Sequence, residues 1–82
     1  MNLSIMAPHC RLFNGIVNSV VLPGELGPFQ VFSDHAATLS SLVSGKVTCN
    51  TVEGVSSSID VKSGFVAIAR NQITVVCEPV AQ

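Results

Sequence analysis

The stretch SGFVAIARNQITVVCE, residues 63–78, decides how the rest of the chain reads. Ser63-Gly64 is turn punctuation. Phe65 to Ala69 and Ile73 to Val76 are short runs rich in β-branched and aromatic residues. They flank a tight turn near Arg70-Asn71, and the unit reads as a β-hairpin. Outward from it, the same grammar recurs. Asn14-Gly15, Pro23-Gly24 and Glu53-Gly54 punctuate the chain, so that turn signals return every 8–12 residues or so, the rhythm of an all-β sandwich or barrel. Between them lie further strands. Leu3 and Ile5 alternate with Asn2 and Ser4. Ile16 to Leu22 carries Val17, Val20 and Val21. Val47 to Thr51 alternates apolar and polar, and Ser57 to Val61 repeats that pattern with Ile59 and Val61.

No segment holds helical periodicity over three turns. The best helical candidate, Ala36 to Leu42, is short and rich in Thr and Ser, which gives it little helical stability of its own. Two segments read as irregular, Met6 to Phe13 and Pro23 to His35. The second holds Pro23, Gly24, Gly27 and Pro28 within six residues, and proline both removes a backbone donor and blocks regular pairing. A partner or ligand is expected on this loop, because loops on a rigid scaffold carry function.

Composition narrows the function classes. The chain has 82 residues, one domain's worth, and a domain spanning residues 1–82 is expected. Only 11% of the residues are charged, against roughly 25% in an ordinary soluble domain. Surface so poorly charged suits a face that another protein covers. The net charge is −1, and no basic patch exists to neutralise a phosphate backbone, so nucleic-acid binding is not expected. No apolar run is long enough to span a membrane. Met1 to Ala7 lack the form of a signal peptide, and the chain is expected on the cytosolic side.

Chemistry-bearing residues are scattered. Asp34 and His35 are adjacent and serines abound, but there is no G-x-S-x-G elbow, and His35 reads as an imidazole tying down the irregular loop. His9, Cys10, His35, Cys49 and Cys77 match no zinc template. Three cysteines, an odd number, read as free thiols serving as small core residues. Glu25, Asp34, Glu53, Asp60 and Glu78 form no evident acid–base pair, and Glu53 reads as a turn residue beside Gly54. Lys46, Lys62, Arg11 and Arg70 read as solvated. No glycine pattern matches a phosphate-cradling loop. No catalytic residue, cofactor site or metal site is assigned.

A family resemblance adds to this reading. Leu3 to Pro8, then Leu12-Phe13-Asn14-Gly15-Ile16-Val17, then Val20 to Gly24, resemble the start of the epsilon subunit of F-type ATP synthases. Gly27, Phe29, Val31, Phe32, His35, Ala36, Leu39, Leu42 and Gly45 continue that family's frame without gaps. Ser63 to Ile68, Asn71 and Ile73 to Val76 resemble its second hairpin. The resemblance implies a flattened sandwich of about ten short antiparallel strands. It implies a non-catalytic central-stalk subunit that links the gamma subunit to the c-ring, rotates with them and helps couple ion flow to ATP synthesis. It places Ala7, Pro8, His9, His35, Ala36, Thr38 and Leu39 toward the gamma subunit, and Gly24, Glu25, Leu26, Gly27 and Pro28 toward the c-ring. The subunit is then peripheral, on the cytoplasmic face of a bacterial inner membrane.

This sequence departs from the family at several points. The family's P-G-H-A-P reads here as Ser33-Asp34-His35-Ala36-Ala37. Pro28 stands where relatives often carry an acidic residue, with Glu25 nearby as a substitute. Most relatives continue into a C-terminal pair of helices. No such helical hairpin is expected here, and with it no hairpin-type inhibition or ATP sensing. The other reading of the residues is a stand-alone β-sandwich interaction module without catalytic activity.

Overall fold

The computed structural model describes residues 1–32 and 37–80. Its elements are strands only: β1 (Asn2–Ala7), β2 (Cys10–Gly24), β3 (Gly27–Val31), β4 (Thr38–Leu42), β5 (Gly45–Thr51), β6 (Ser56–Ala69) and β7 (Gln72–Pro79). β2 and β6 are long, at 15 and 14 residues, and each serves two layers. The first half of β2 pairs with β1, and its second half pairs with β5 and β3. The first half of β6 pairs with β5, and its second half lies between β4 and β7. The first layer is therefore β4, β6, β7, β1 and β2, and the second is β3, β2, β5 and β6. β1, β2, β5, β6 and β7 form a closed hydrogen-bonded circuit. The result is a flattened sandwich, 31 × 26 × 20 Å along its principal axes.

The resemblance implies about ten short strands, and seven are found among the described residues. The difference is largely that β2 and β6 turn from one layer to the other without breaking their pairing. β6 does so at a bulge between Val61 and Ser63, and β2 at one between Val17 and Ser19. Bulges bend a strand and add twist, which lets one strand feed two sheets. The pairing is also not antiparallel throughout. β1 lies parallel to β7, with Leu3 beside Ile73 and Ile5 beside Val75. This pairing joins the two ends of the described chain.

Three further expectations change. Met6 to Phe13 is not irregular: Ala7 pairs with Cys10 across the two-residue turn Pro8-His9. Pro23 to Val31 is a hairpin as well, closed by the Gly24 and Gly27 pair. Pro23 and Pro28 stand opposite each other, one step from that closing pair. Hydrogen-bonded and non-bonded pairs alternate along an antiparallel ladder. At the non-bonded step both backbones face away, so two prolines cost the hairpin no ladder bond. Finally, Thr38 to Leu42 is strand β4, paired with β6, not helix. The Asp34, His35 and Ala36 expectations lie outside the described residues.

The core is the inward row of every strand. Leu3, Ile5, Val17, Val20, Leu22, Val31, Val47, Val61, Val66, Ile73 and Val75 are fully buried. Buried Ser19 accepts a 3.1 Å hydrogen bond from Asn50 Nδ2, and among the described residues no buried side-chain polar atom lacks a partner. At Ala69–Gln72 the turn holds Arg70 and Asn71 at φ 51° and 61°. Positive φ at both central residues is the type I′ geometry that matches strand twist.

Candidate interaction surfaces

The outward faces of the two layers differ in kind. On the second layer, Lys46, Thr48 and Asn50 of β5 stand opposite Asp60, Ser58 and Ser56 of β6. Each pair is satisfied across the strands. Lys46 Nζ lies 3.1 Å from an Asp60 carboxylate oxygen, the Thr48 and Ser58 hydroxyls share a bond of 3.1 Å, and the Ser56 hydroxyl donates to Asn50 Oδ1. This face has internally matched its polar groups.

The first layer is different. Its outward rows cross four strands, Ser41, Phe65, Val76 and Met6 in one and Leu39, Ala67, Thr74 and Ser4 in the next. Leu39 is 78% exposed, Phe65 60% and Val76 48%. Three large apolar side chains thus stand in water on neighbouring strands. They form a patch of the kind that marks a protein-binding face.

This patch runs into a groove of about 550 Å³ at the end of the layer. Phe65, Val76, Cys77 and Glu78 line it from the β6–β7 ladder, and Ala7, Pro8, His9 and Cys10 line it from the β1–β2 turn. Gly64 is paired with Cys77 and completes the lining with Ser63. A Cβ at Gly64 would come within 2.8 Å of Cys77 Cα, so only glycine lets the two strands approach there. Cys10 is exposed, whereas Cys49 and Cys77 are buried. The expectation of three core thiols therefore holds for two. Burial pushes the Cys49 thiol up from its ordinary value, against two backbone hydrogen bonds that pull it down. Burial also pushes Cys77 up, with a smaller push from the nearby Cys10. Ala7 pairs with Cys10 on one side, while Cys77 follows the Met6–Val76 pair on the other. Both thiols are free.

The other candidate residues form a foot at the tip of the β2–β3 hairpin. Leu26 is fully exposed there, between Glu25 and Gly27. The hairpin is braced against the end of β4 and the β4–β5 turn: Glu25 N donates to Ser41 O at 3.1 Å, and Val43 N donates to Pro23 O at 2.9 Å. Two hollows flank the brace. One of about 510 Å³ lies between Pro23, Gly24, Glu25, Pro28 and the turn Val43 to Lys46. The other, about 330 Å³, is lined by Leu26, Pro28, Phe29, Thr38 and Ser40 among others.

The structure thus sorts the predicted site residues. Ala7, Pro8 and His9 meet on one groove, and Leu39 lies on the same outward face. Thr38 is the adjacent residue of β4 and alternates to the opposite side. It lines the hollow shared with Leu26 and Phe29, on the hairpin's side. Gly24, Glu25, Leu26, Gly27 and Pro28 stay together at the foot. Phe65 and Val76 read from the sequence as strand residues and Cys77 as a core thiol, and none of the three is expected there at a binding surface. Among the described residues no group of three His, Cys, Asp or Glu side chains could hold a metal ion.

The scaffold thus presents two exposed surfaces on a closed strand circuit. The sequence matches, over residues 1–82, the family described as ATP synthase, Delta/Epsilon chain, beta-sandwich domain. The chain belongs to this family. An ATP synthase epsilon chain of Nitratiruptor is 37% identical over 95% of the chain, which spans 60% of that relative. The epsilon chain of Chlorobaculum tepidum is 34% identical, with 96% of this chain and 90% of the relative covered. Among solved structures, a chain of the Euglena gracilis mitochondrial ATP synthase, seen with OSCP, F1 and c-ring, superposes with a TM-score of 0.86 at 14% identity. That match covers 92% of this chain and 48% of the other. A chain of the Tetrahymena thermophila central stalk and c-ring superposes with a TM-score of 0.77 at 16% identity, over 94% and 62% of the two chains. At these identities the likeness is one of fold, and it agrees with the family's β-sandwich. In the described residues no helix is long and apolar enough to cross a membrane.

Proposed function

We propose that this epsilon-family domain, residues 1–82, acts as one rigid, non-catalytic unit of the central rotor of an F-type ATP synthase. It binds the gamma subunit through the outward face of its first layer and rests on the c-ring through the β2–β3 hairpin. The complex then holds it peripherally, at the cytoplasmic face of a bacterial inner membrane. It requires no cofactor in this role, because it supplies a stiff connection and not a reaction.

The observation that carries this reading is the asymmetry of the two faces. A free monomer gains nothing from standing Leu39, Phe65 and Val76 in water on one face while matching every polar pair on the other. A rotor piece does, because interface cores are depleted in charge and rich in large apolar groups. The closed strand circuit gives the stiffness, and the braced foot lies apart from the apolar face, so two partners can bind together. Family membership, and a fold shared with chains of F1/c-ring and central-stalk assemblies, support this choice of partners.

Co-purification with the gamma subunit tests the reading. The wild-type chain is expected to be retained by tagged gamma, and the double variant Pro8→Glu, Leu39→Glu to be lost from it. Both altered side chains are solvent-facing, so the variant's melting temperature is expected to stay close to wild type. Equal retention of the two proteins would reject the assigned face.

A further inference from the structure

We propose that the groove between the β1–β2 turn and the bulged start of the β6–β7 ladder is a socket for one large apolar side chain of the gamma subunit. That single anchor supplies most of the affinity of the contact. The inference rests on the reading of the first layer as the gamma-binding face, and it adds where on that face the energy lies.

The groove is already shaped. Its walls are a two-residue turn and a paired ladder, neither of which has slack, and Gly64 leaves out a side chain where Cys77 comes closest. A preformed concavity lets a partner bind without ordering cost. Its lining is mostly apolar, from Ala7, Pro8, Phe65 and Val76, with Glu78, His9 and the thiols of Cys10 and Cys77 as the ionisable groups present. An apolar side chain fits this chemistry, and a charged one would lose its hydration without a buried counter-ion. The groove is also continuous with the exposed row that ends in Phe65 and Val76. Hot spots form where a large side chain fills a concave pocket, ringed by contacts that exclude water. Here Leu39 and Ala67 of the neighbouring row extend the face beside the groove. The second layer's outward face cannot compete, because its polar pairs are already satisfied by one another.

The test uses the complex of the full chain with gamma. Val76→Glu and Phe65→Glu are each expected to weaken gamma retention about tenfold or more, as loss of a hot-spot contact does. Val52→Glu, an equally exposed valine on the β5–β6 turn, is expected to leave it unchanged. Val76→Ser, a milder change on the same outward position, guards against a variant that merely fails to fold, and melting curves are recorded for all four. The native thiols give an independent reading. Exposed Cys10 is expected to react with N-ethylmaleimide in the free chain and about tenfold more slowly in the complex, where the groove is filled. If gamma is retained but Val76→Glu, Phe65→Glu and Val76→Ser bind like wild type and Cys10 stays reactive, the socket is wrong while the gamma-binding face stands. If these variants instead abolish self-association of the free chain and leave gamma retention intact, a second copy fills the groove and the proposal falls. If the wild-type chain itself fails to retain gamma, the underlying reading fails first.

Discussion

Gly64 illustrates how much one residue carries. Its α-carbon faces Cys77 at the point where β6 bends from one layer to the other, and a methyl group there would collide with the Val76 carbonyl and the Cys77 backbone. Backbone atoms cannot swing aside as a side-chain tip can. Gly64→Ala is therefore expected to cost about 2–3 kcal/mol through overpacking, which lowers the melting temperature by roughly 10 °C or more in a domain of this size. A change below 2 °C in a thermal melt would show that the ladder relaxes freely.

The two buried thiols make a second residue-scale prediction. Burial raises both Cys49 and Cys77 above the ordinary value of 9.0. In the unfolded chain they lose their protons near that value, while in the folded chain they keep them to higher pH. Unfolding then releases protons, so stability is intact below pH 9.0 and declines as pH rises past it. Melting temperatures are expected to be level from about pH 7 to about 8.5 and to fall above about pH 9. The double variant Cys49→Ala, Cys77→Ala starts lower, from lost packing, but is expected to fall less steeply with pH. An identical slope in both proteins would assign the alkaline loss to other groups.

At the scale of elements, the β2–β3 hairpin is the piece that joins sequence and function most directly. Its prolines face each other at a step where missing donors do no harm, and its tip is tied to the end of β4 and the β4–β5 turn by one backbone hydrogen bond each. A tip held in this way transmits force instead of yielding. Leu26→Cys in an assembled synthase is expected to cross-link to subunit c through a short bifunctional reagent, because Leu26 stands fully clear of the domain. Cross-links to alpha or beta subunits alone would move the foot elsewhere. β4 shows the complementary lesson. Its alternation puts Leu39 on the exposed face of the first layer and Thr38 beside the hairpin, so neighbours in sequence line different surfaces.

At the scale of the molecule, the parallel β1–β7 pair ties the first strand to the last. Most pairings are non-local, so folding is expected to be cooperative and to take milliseconds to seconds. Stability is modest: at 0.05–0.15 kcal/mol per residue, 82 residues hold roughly 4–12 kcal/mol. Leu3 lies at the centre of that closure, fully buried and paired with both Gly15 and Ile73. Leu3→Ala is expected to cost about 2–5 kcal/mol in chemical denaturation, a large share of the total. Leu39→Ala, on the exposed face, is expected to change stability by no more than about 0.5 kcal/mol. If the two variants unfold alike, the core has been misplaced.

The amino-acid sequence by itself determined the fold class, the Arg70-Asn71 hairpin and the turn at Glu53-Gly54. These follow from local causes: the period-two pattern and the turn residues. Its order of motifs also carried the family. The tertiary structure alone decided the rest. The run Phe65 to Ile68 is apolar on both parities, and so is Val75-Val76, which left open which residues face the core. Only packing against Leu3 and Ile5 shows that Val66 and Val75 are inside and Phe65 and Val76 outside. The same holds for the bends that let β2 and β6 serve two layers. They depend on a bulge whose position is set by the partner strand, not by the bulged one. The groove between the β1–β2 turn and the β6–β7 ladder brings together segments far apart in the chain, so the family resemblance pointed to Ala7, Pro8 and His9 while its opposite wall waited for the fold.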